Sequence, residues 1–200
     1  MYDYRKMTLE QQQELVEYRR QHHRPWHSPP HWDYEGERQF LISAACFEHT
    51  HIIGATLERM AKCESDLLEL HQQYCSEIYA WCLLPNHYHW LVKTDRITEL
   101  LKELGKFHGR SSYFWNGEDG RRGRQVWHNS FERQIKSHRH FWASVNYVHN
   151  NPVHHGYVET WQDWPWSSAR EFIERVGRER ALEIWRAYPV LDYGKKWDMD

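Results

Sequence analysis

The stretch of sequence that decides the fold is LPNHYHWLV, residues 84–92, in which two histidines flank one bulky residue inside an apolar run. Successive side chains of a β-strand point to opposite faces of the sheet. A strand here therefore places His87 and His89 on one face and Tyr88 and Trp90 on the other. Two imidazoles side by side are half of a metal site, because two nitrogens alone leave most of the coordination sphere of a divalent cation to water. The remaining ligands must come from elsewhere in the chain.

A second informative stretch is FWASVNYVHNNPV, residues 141–153. Three apolar residues recur there at helical spacing and predict a short amphipathic helix with this face turned to the core: Phe141, Val145 and Val148. Tyr147 and Asn151 are four residues apart, so they share a different face of the same helix. Because Pro152 disfavours helical geometry at the residue before it, the helix is predicted to end close to Asn151. A phenol and an amide then point the same way near a helix end.

Periodicity and turn residues along the chain predict the element order βαββαβ. The predicted strands and helices are, in order, residues 38–47, 57–74, 77–84, 87–94, 97–113 and 126–135, and the tyrosine helix follows them. This order is the split βαβ, or ferredoxin-like, pattern of an antiparallel sheet with helices packed on one face. We therefore expect an α+β fold in which Tyr147 lies on a helix that follows the last core strand.

Extensions are predicted on both sides of this core. The segment TLEQ, residues 8–11, is a capping box that opens a helix to about Arg20. Residues 22–32 contain four histidines among three prolines; they could bind a metal, but their irregular ligand spacing favours an extended connector. A helix is also predicted from about Ser167 to Tyr188, and three tryptophans are expected to pack back onto the core: Trp164, Trp166 and Trp185. The predicted domains are 1–36, 37–160 and 161–200.

Composition indicates a soluble intracellular protein. The 200 residues carry a net charge of −2, and no apolar run is long enough to span a membrane. The first six residues lack the apolar stretch of a signal peptide, so a cytoplasmic location is expected. Four cysteines show no Cys-x-x-Cys spacing and are interpreted as reduced thiols in or near the core: Cys46, Cys63, Cys75 and Cys82.

Basic residues are concentrated between Lys102 and Arg139, where the chain has nine Lys or Arg and four Asp or Glu. Four aromatic residues are interleaved with them: Tyr113, Phe114, Trp115 and Trp127. Basic groups that follow phosphates, beside rings on which unpaired bases stack, are typical of proteins that bind single-stranded DNA. The candidate DNA-binding residues are Lys102, Lys106, Arg110, Arg121, Arg122, Arg124, Arg133 and Lys136. The alternative interpretation is a solvated loop that joins a helix to a strand.

Taken together, these elements resemble the REP-associated tyrosine transposases, which are IS200-like, single-tyrosine members of the HUH endonuclease superfamily. The resemblance rests on the His-x-His strand, the string YVHNNPV at residues 147–153, Gly156, and the run DWPWS at residues 163–167. It covers roughly residues 38–168. The middle residue of the histidine pair is usually aliphatic in this family and here is Tyr88, which is predicted to face away from the metal.

The resemblance implies a metal-dependent endonuclease and strand transferase that acts on single-stranded DNA. It assigns His87, His89 and Asn151 as metal ligands and Tyr147 as the nucleophile that forms a 5′-phosphotyrosine intermediate. The implied cation is Mg²⁺ or Mn²⁺, although such nitrogens would also accept Zn²⁺. The implied substrates are repetitive extragenic palindromes (REP elements) folded as hairpins in the nucleoid of a bacterium. The protein is expected to act as a monomer or a homodimer, without a membrane partner.

Two other classes of function remain open from the sequence. The same fold pattern suits a nucleic-acid-binding module without catalysis, for which the metal and Tyr147 would be dispensable. A metal-dependent hydrolase with water as its nucleophile would need His87 and His89, but it would tolerate Tyr147→Phe and would leave no covalent adduct.

Overall fold

The structure is a computed structural model that describes residues 36–128, 130–191 and 193, together with five isolated positions, Thr8, Glu10, Gln13, Glu14 and Glu17. The last four of these positions are helical, in agreement with the predicted N-terminal helix. The rest of that helix and the predicted connector at 22–32 lie outside the described residues. Every element named below belongs to one compact unit, Glu35–Asp200.

A four-stranded antiparallel sheet forms the centre of this unit. Its strands are β1 (Arg38–Ala45), β2 (Glu77–Leu83), β3 (His87–Thr94) and β4 (Phe131–Gln134), and their spatial order is β2-β3-β1-β4. The central strand β3 is buried along almost its whole length, so both of its faces need packing partners. The short β4 forms one edge of the sheet.

Helices cover both faces of the sheet. They are α1 (Leu57–Tyr74), α2 (Ile97–Glu118), α3 (His138–His154), α4 (Ala169–Val176) and α5 (Arg178–Ala187). On one face, the Trp90 ring stacks at 4.1 Å on His71 of α1, and the Tyr88 hydroxyl lies 2.9 Å from Nε2 of His108 on α2. On the other face, α3 packs against β2 and β3. The predicted α+β class is confirmed, with the two connecting helices on one face and the tyrosine helix on the other.

The prediction of one strand over residues 126–135 is wrong in its extent. Only Phe131–Gln134 form β4, whereas Trp127 makes a single bridge to Cys46. Phe131 pairs with Ser43 of β1, and Trp127 pairs with Cys46, the residue after β1. The register differs by one residue between these two pairings, which interrupts the strand as a β-bulge does. The Trp127 ring stacks on His108 at 4.4 Å, so this residue is fixed by α2 rather than by the sheet.

Helix α2 is longer than predicted and ends at Glu118 instead of Tyr113. Tertiary contacts account for the extra turn. Asn116 is buried and exchanges hydrogen bonds with Arg124: its Nδ2 donates to the Arg124 backbone oxygen at 2.7 Å and its Oδ1 accepts from Nε at 2.9 Å. These contacts link residues eight positions apart across the turn, and local periodicity does not report them.

Helix α3 continues to His154, past the end predicted near Asn151. A Schellman motif decides where it stops. Gly156 has φ +72°, its N–H donates to the Val153 oxygen at 3.0 Å, and the N–H of Tyr157 donates to the Pro152 oxygen at 2.9 Å. Pro152 lies in the last turn, where its missing N–H removes only one helical hydrogen bond.

The C-terminal extension packs back onto β2, as predicted. Nε1 of Trp164 donates to the Leu83 oxygen at 2.8 Å, and the Trp166 oxygen accepts from the N–H of Leu83 at 2.9 Å. The single helix predicted over 167–188 is instead two helices, α4 and α5, because Gly177 adopts φ +84° between them. All four cysteines are free, and three of them are buried. Among the described residues, no helix combines the length and apolar character needed to cross a membrane.

Candidate active site

Strand β3 presents His87 and His89 on the sheet face that α3 covers. The two rings lie side by side with centroids 5.1 Å apart, and both residues are about 2% exposed. The alternation predicted from sequence is confirmed, because Tyr88 and Trp90 contact α2 and α1 on the opposite face. Packing on that opposite face therefore fixes the strand that carries the histidines.

Helix α3 brings its phenol and its amide to the two imidazoles. The hydroxyl of Tyr147 lies 3.2 Å from Nε2 of His89, and Oδ1 of Asn151 lies 2.8 Å from Nε2 of His87. Tyr147 and Asn151 are buried, with 4% and 1% exposure. The structure thus brings together all four side chains that the sequence analysis selected as catalytic or metal-binding, although they come from strand and helix segments about 60 residues apart.

The far nitrogens of both histidines also have partners. Nδ1 of His89 lies 2.6 Å from Oγ of Ser43 on β1, the residue directly paired with it across the strands. Nδ1 of His87 lies 2.7 Å from Oδ1 of Asn86, whose Nδ2 donates to the backbone oxygen of His49 at 2.9 Å. The His49 oxygen thereby determines which amide atom of Asn86 faces His87. Because Oδ1 can only accept, His87 carries its proton on Nδ1.

Nε2 of His87 faces the Asn151 oxygen 2.8 Å away, so both atoms are placed to contact one cation. His87, His89 and Asn151 offer two imidazole nitrogens and one amide oxygen, a donor set whose chemistry suits a divalent cation. Among the described residues, no group of three or more His, Cys, Asp or Glu side chains could hold a metal ion.

Three neighbours of the site were missed by the sequence analysis: Ser43, Asn86 and His155. The His155 ring lies 4.9 Å from that of His87. His155 follows Tyr147 and Asn151 at intervals of four residues, which would place it on the same helix face. The sequence analysis did not select it because the helix was predicted to stop at Asn151. Asn86 precedes the first histidine directly, whereas only the register between β1 and β3 reveals Ser43.

The predicted DNA-binding residues separate into two groups in the structure. Six lie on α2 or in the loop after it, and three of these have structural partners: Lys106 pairs with Glu103 at 2.6 Å, the Arg122 guanidinium lies 4.4 Å from the Tyr113 ring centroid, and Arg124 pairs with Asp119 at 2.6 Å. The other two, Arg133 and Lys136, lie on β4 and just after it. Burial lowers the pKa of His140, in the first turn of α3, and the charges of Arg133 and Lys136 lower it further. These two cations are therefore close to the helix that carries Tyr147.

Residues 45–151 match the family described as Transposase IS200 like. The chain belongs to this family. It is 31% identical over 138 residues to a protein of Haemophilus influenzae assigned as a REP-associated tyrosine transposase, with 60% of this chain and 72% of that protein aligned. It is 29% identical over 104 residues to the REP-associated tyrosine transposase of Escherichia coli, and there it covers 50% of its own length and 58% of the relative's.

A solved structure of a REP-associated tyrosine transposase bound to a REP hairpin has the same fold. It superposes with a TM-score of 0.55 at 20% sequence identity, over 73% of this chain and 86% of that one. The resemblance inferred from the sequence is confirmed by these comparisons, and this IS200-like chain is an enzyme of the tyrosine transposase type.

Proposed function

We propose that this transposase cleaves and rejoins single-stranded DNA at REP-type palindromic hairpins through a 5′-phosphotyrosine intermediate, with a divalent metal as cofactor. One observation carries the proposal: the hydroxyl of Tyr147 and the amide of Asn151, one helical turn apart, lie at 3.2 and 2.8 Å from the two imidazoles of β3. If Tyr147 served only in packing and Asn151 only to end the helix, contacts with both histidines of a His-x-His strand would not be expected.

His87, His89 and Asn151 would hold the cation, and Mg²⁺ or Mn²⁺ is the assignment that suits their mixed nitrogen and amide-oxygen donors. When bound, such a cation neutralises charge on the scissile phosphate. Ser43 and Asn86 keep the imidazoles in orientation from behind, as hydrogen-bond partners of metal-binding histidines usually do.

Tyr147 supplies the nucleophile. Its oxygen forms a bond to phosphorus while the bond from phosphorus to the 3′ oxygen breaks; the phenol gives up its proton to solvent, and the leaving oxygen takes one up. The product is a 5′-phosphotyrosine and a free 3′-hydroxyl. Attack by another 3′-hydroxyl reverses both bond changes and restores the phenol, so strands can be joined without a nucleotide cofactor. The fixed position of the phenol in a buried site favours this reaction over attack by water.

The substrate assignment rests on relatives. Both sequence relatives carry the REP-associated name, and the solved relative is bound to a REP hairpin. We propose the same class of DNA for this chain, and the nucleoid of a bacterial cytoplasm as its location. A monomer or a homodimer remains the prediction for its assembly.

The test determines whether the Tyr147 oxygen becomes covalently bound to DNA. Purified protein with Mn²⁺ or Mg²⁺ is incubated with labelled single and double strands that contain palindromes of its own genome. We expect cleavage of single strands only, loss of cleavage with a chelator, and a DNA fragment attached to the protein through its 5′ end on a denaturing gel. Tyr147→Phe removes only the hydroxyl and should lower cleavage by about 10³-fold or more, with no adduct.

Tyr193 provides a matched control phenol. Its ring lies 5.5 Å from that of Tyr147, and its hydroxyl pairs with Oγ of Ser144 at 2.5 Å. Tyr193→Phe should keep the adduct. An adduct that persists in Tyr147→Phe contradicts the assignment of the nucleophile. Cleavage without any adduct would instead indicate the hydrolase, and binding without cleavage would indicate the non-catalytic module.

A further inference from the structure

The row of residues that crosses the sheet at His89 continues to the open edge. Ser43 pairs with His89 on one side and with Phe131, the first residue of β4, on the other. Directly paired residues project from the same face of a sheet. Since Oγ of Ser43 contacts His89, the Phe131 side chain lies on the face that carries the candidate active site. Its Cα is two strand spacings, roughly 10 Å, from that of His89.

Phe131 is exposed and has a cation beside it. It is 40% exposed, and the guanidinium carbon of Arg133 lies 5.6 Å from the centre of its ring. Arg133 is two residues along β4 and pairs with Leu41, which packs in the same core cluster as Tyr147. Both side chains therefore project from the face of the sheet against which α3 packs. Two further exposed aromatic rings in the described chain, Tyr113 and Phe114, are on α2, which covers the opposite face.

We propose that Phe131 and Arg133 form a nucleobase subsite beside the nucleophile. The ring of Phe131 stacks on one unpaired base of the strand that contains the scissile phosphate, and the guanidinium of Arg133 contacts a neighbouring phosphate. This inference rests on the proposed function, because it supplies a specific contact for the single strand that Tyr147 cuts. An aromatic face selects an unpaired base over a paired one, since a base inside a duplex is already stacked on both sides. The subsite thereby also accounts for the preference for single strands that the proposed function includes.

The experiment measures DNA binding with the metal removed by chelator, so that no strand is cut. The probe is a labelled single strand with a genomic palindrome and its flanking nucleotides, chosen because the wild-type protein cleaves it in Mn²⁺. Phe131→Ala should weaken binding by about 5- to 100-fold, the range expected when one base loses an aromatic stacking partner. Phe131→Trp should keep the affinity, and Phe131→Leu should behave like Phe131→Ala because it retains apolar area without a ring.

Two controls separate stacking from a general effect. Leu182→Ala removes an apolar side chain of matching exposure, 39% accessible, from α5, and should leave the affinity unchanged. A series of probes, each with one base deleted, should contain one position at which the wild-type protein loses affinity and Phe131→Ala loses nothing further. Such non-additivity identifies the base that contacts the ring. Arg133→Gln should reduce the slope of log affinity against log salt by about one phosphate contact.

The outcomes distinguish this subsite from the proposed function. Phe131→Ala that binds as tightly as the wild-type protein, while the wild-type protein cleaves the probe, overturns the subsite alone. An equal loss in Leu182→Ala overturns it as well. A wild-type protein that neither binds nor cleaves any palindromic single strand overturns the proposed function, and the subsite with it.

Discussion

Replacing Asn86 with alanine should weaken metal binding without touching a metal ligand. Asn86 is 8% exposed and makes two hydrogen bonds, from Nδ1 of His87 to its Oδ1 at 2.7 Å and from its Nδ2 to the His49 oxygen at 2.9 Å. The first bond keeps the His87 proton on Nδ1. In Asn86→Ala that preference is lost, so a fraction of the protein carries the proton on Nε2 and must move it before a cation can bind.

The size of the effect follows from these two bonds. Loss of a hydrogen-bond partner behind a metal-binding histidine usually lowers metal affinity 10- to 100-fold, or about 1.4–2.8 kcal/mol. The free energy of unfolding should also fall, by roughly 1–3 kcal/mol, because each lost bond contributes about 0.5–1.5 kcal/mol. Asn86→Asp separates the two effects: a carboxylate still accepts from Nδ1 of His87 but no longer donates to the His49 oxygen. It should lower stability yet keep most of the metal affinity.

Titration of the purified protein with Mn²⁺, followed by calorimetry or electron paramagnetic resonance, measures the affinity without any DNA. Chemical denaturation of the metal-free protein measures stability. Ser168→Ala is the matched control, because Oγ of Ser168 lies 3.0 Å from Nε2 of the buried His149, outside the candidate site. It should lower stability and leave Mn²⁺ affinity unchanged. The reasoning would be refuted if Asn86→Ala and Asn86→Asp lost the same Mn²⁺ affinity, as expected if the loss of affinity only followed the loss of stability.

Two further predictions concern stability. Hydrogen bonds from Arg59 first, and from Arg124, lower the pKa of Asp119 from 3.8 to about 2, so this carboxylate should contribute roughly 1–2 kcal/mol above pH 4 that is lost as the pH falls towards 2. Denaturation curves of the wild-type protein and Asp119→Asn should therefore differ at pH 7 and converge near pH 2; a constant difference would contradict the pKa assignment. Gly156→Ala places a Cβ at φ +72° and should lower the free energy of unfolding by about 1–2 kcal/mol. Gly109 is exposed within α2 with open space around it, so Gly109→Ala should raise the free energy of unfolding by up to about 1 kcal/mol. Thermal melts of both variants measure the two effects.

Short-range periodicity was sufficient to predict the two stretches that make the site. The alternation in residues 84–92 determined which faces the histidines and the aromatic residues occupy, and the four-residue interval between Tyr147 and Asn151 determined that they share a helix face. Both are local properties of a strand and a helix. The family resemblance supplied the link between them, since nothing in the spacing of residues 60 positions apart requires that they meet.

The errors arise where a contact between distant residues, or competition between two local signals, decides the structure. Pro152 and Gly156 both mark helix ends, and the Schellman motif at Gly156 prevails because it satisfies carbonyl groups that an end at Asn151 would leave unpaired. Ser43 could not be selected from sequence, because its contact with His89 depends on the register between β1 and β3. That register is set by which side chains fit the two helical layers.

The packing behind β3 explains how a buried site can keep its geometry. Trp90 lies between Trp81, at 5.4 Å, and His71, at 4.1 Å, and Tyr88 is held by His108, so one face of the strand is fixed by large rings that are almost fully buried. Burial lowers the pKa of His71 and of His108 to about 4. Both imidazoles are therefore neutral at physiological pH and add no positive charge beneath the face that carries the candidate site. A shift of the strand by one residue would exchange these rings with His87 and His89, the two proposed metal ligands, and would bury both imidazoles among apolar groups. The free-energy cost of that exchange keeps His87 and His89 opposite α3. It also explains why a bulky tyrosine lies between them, because Tyr88 is part of the packing that fixes the site.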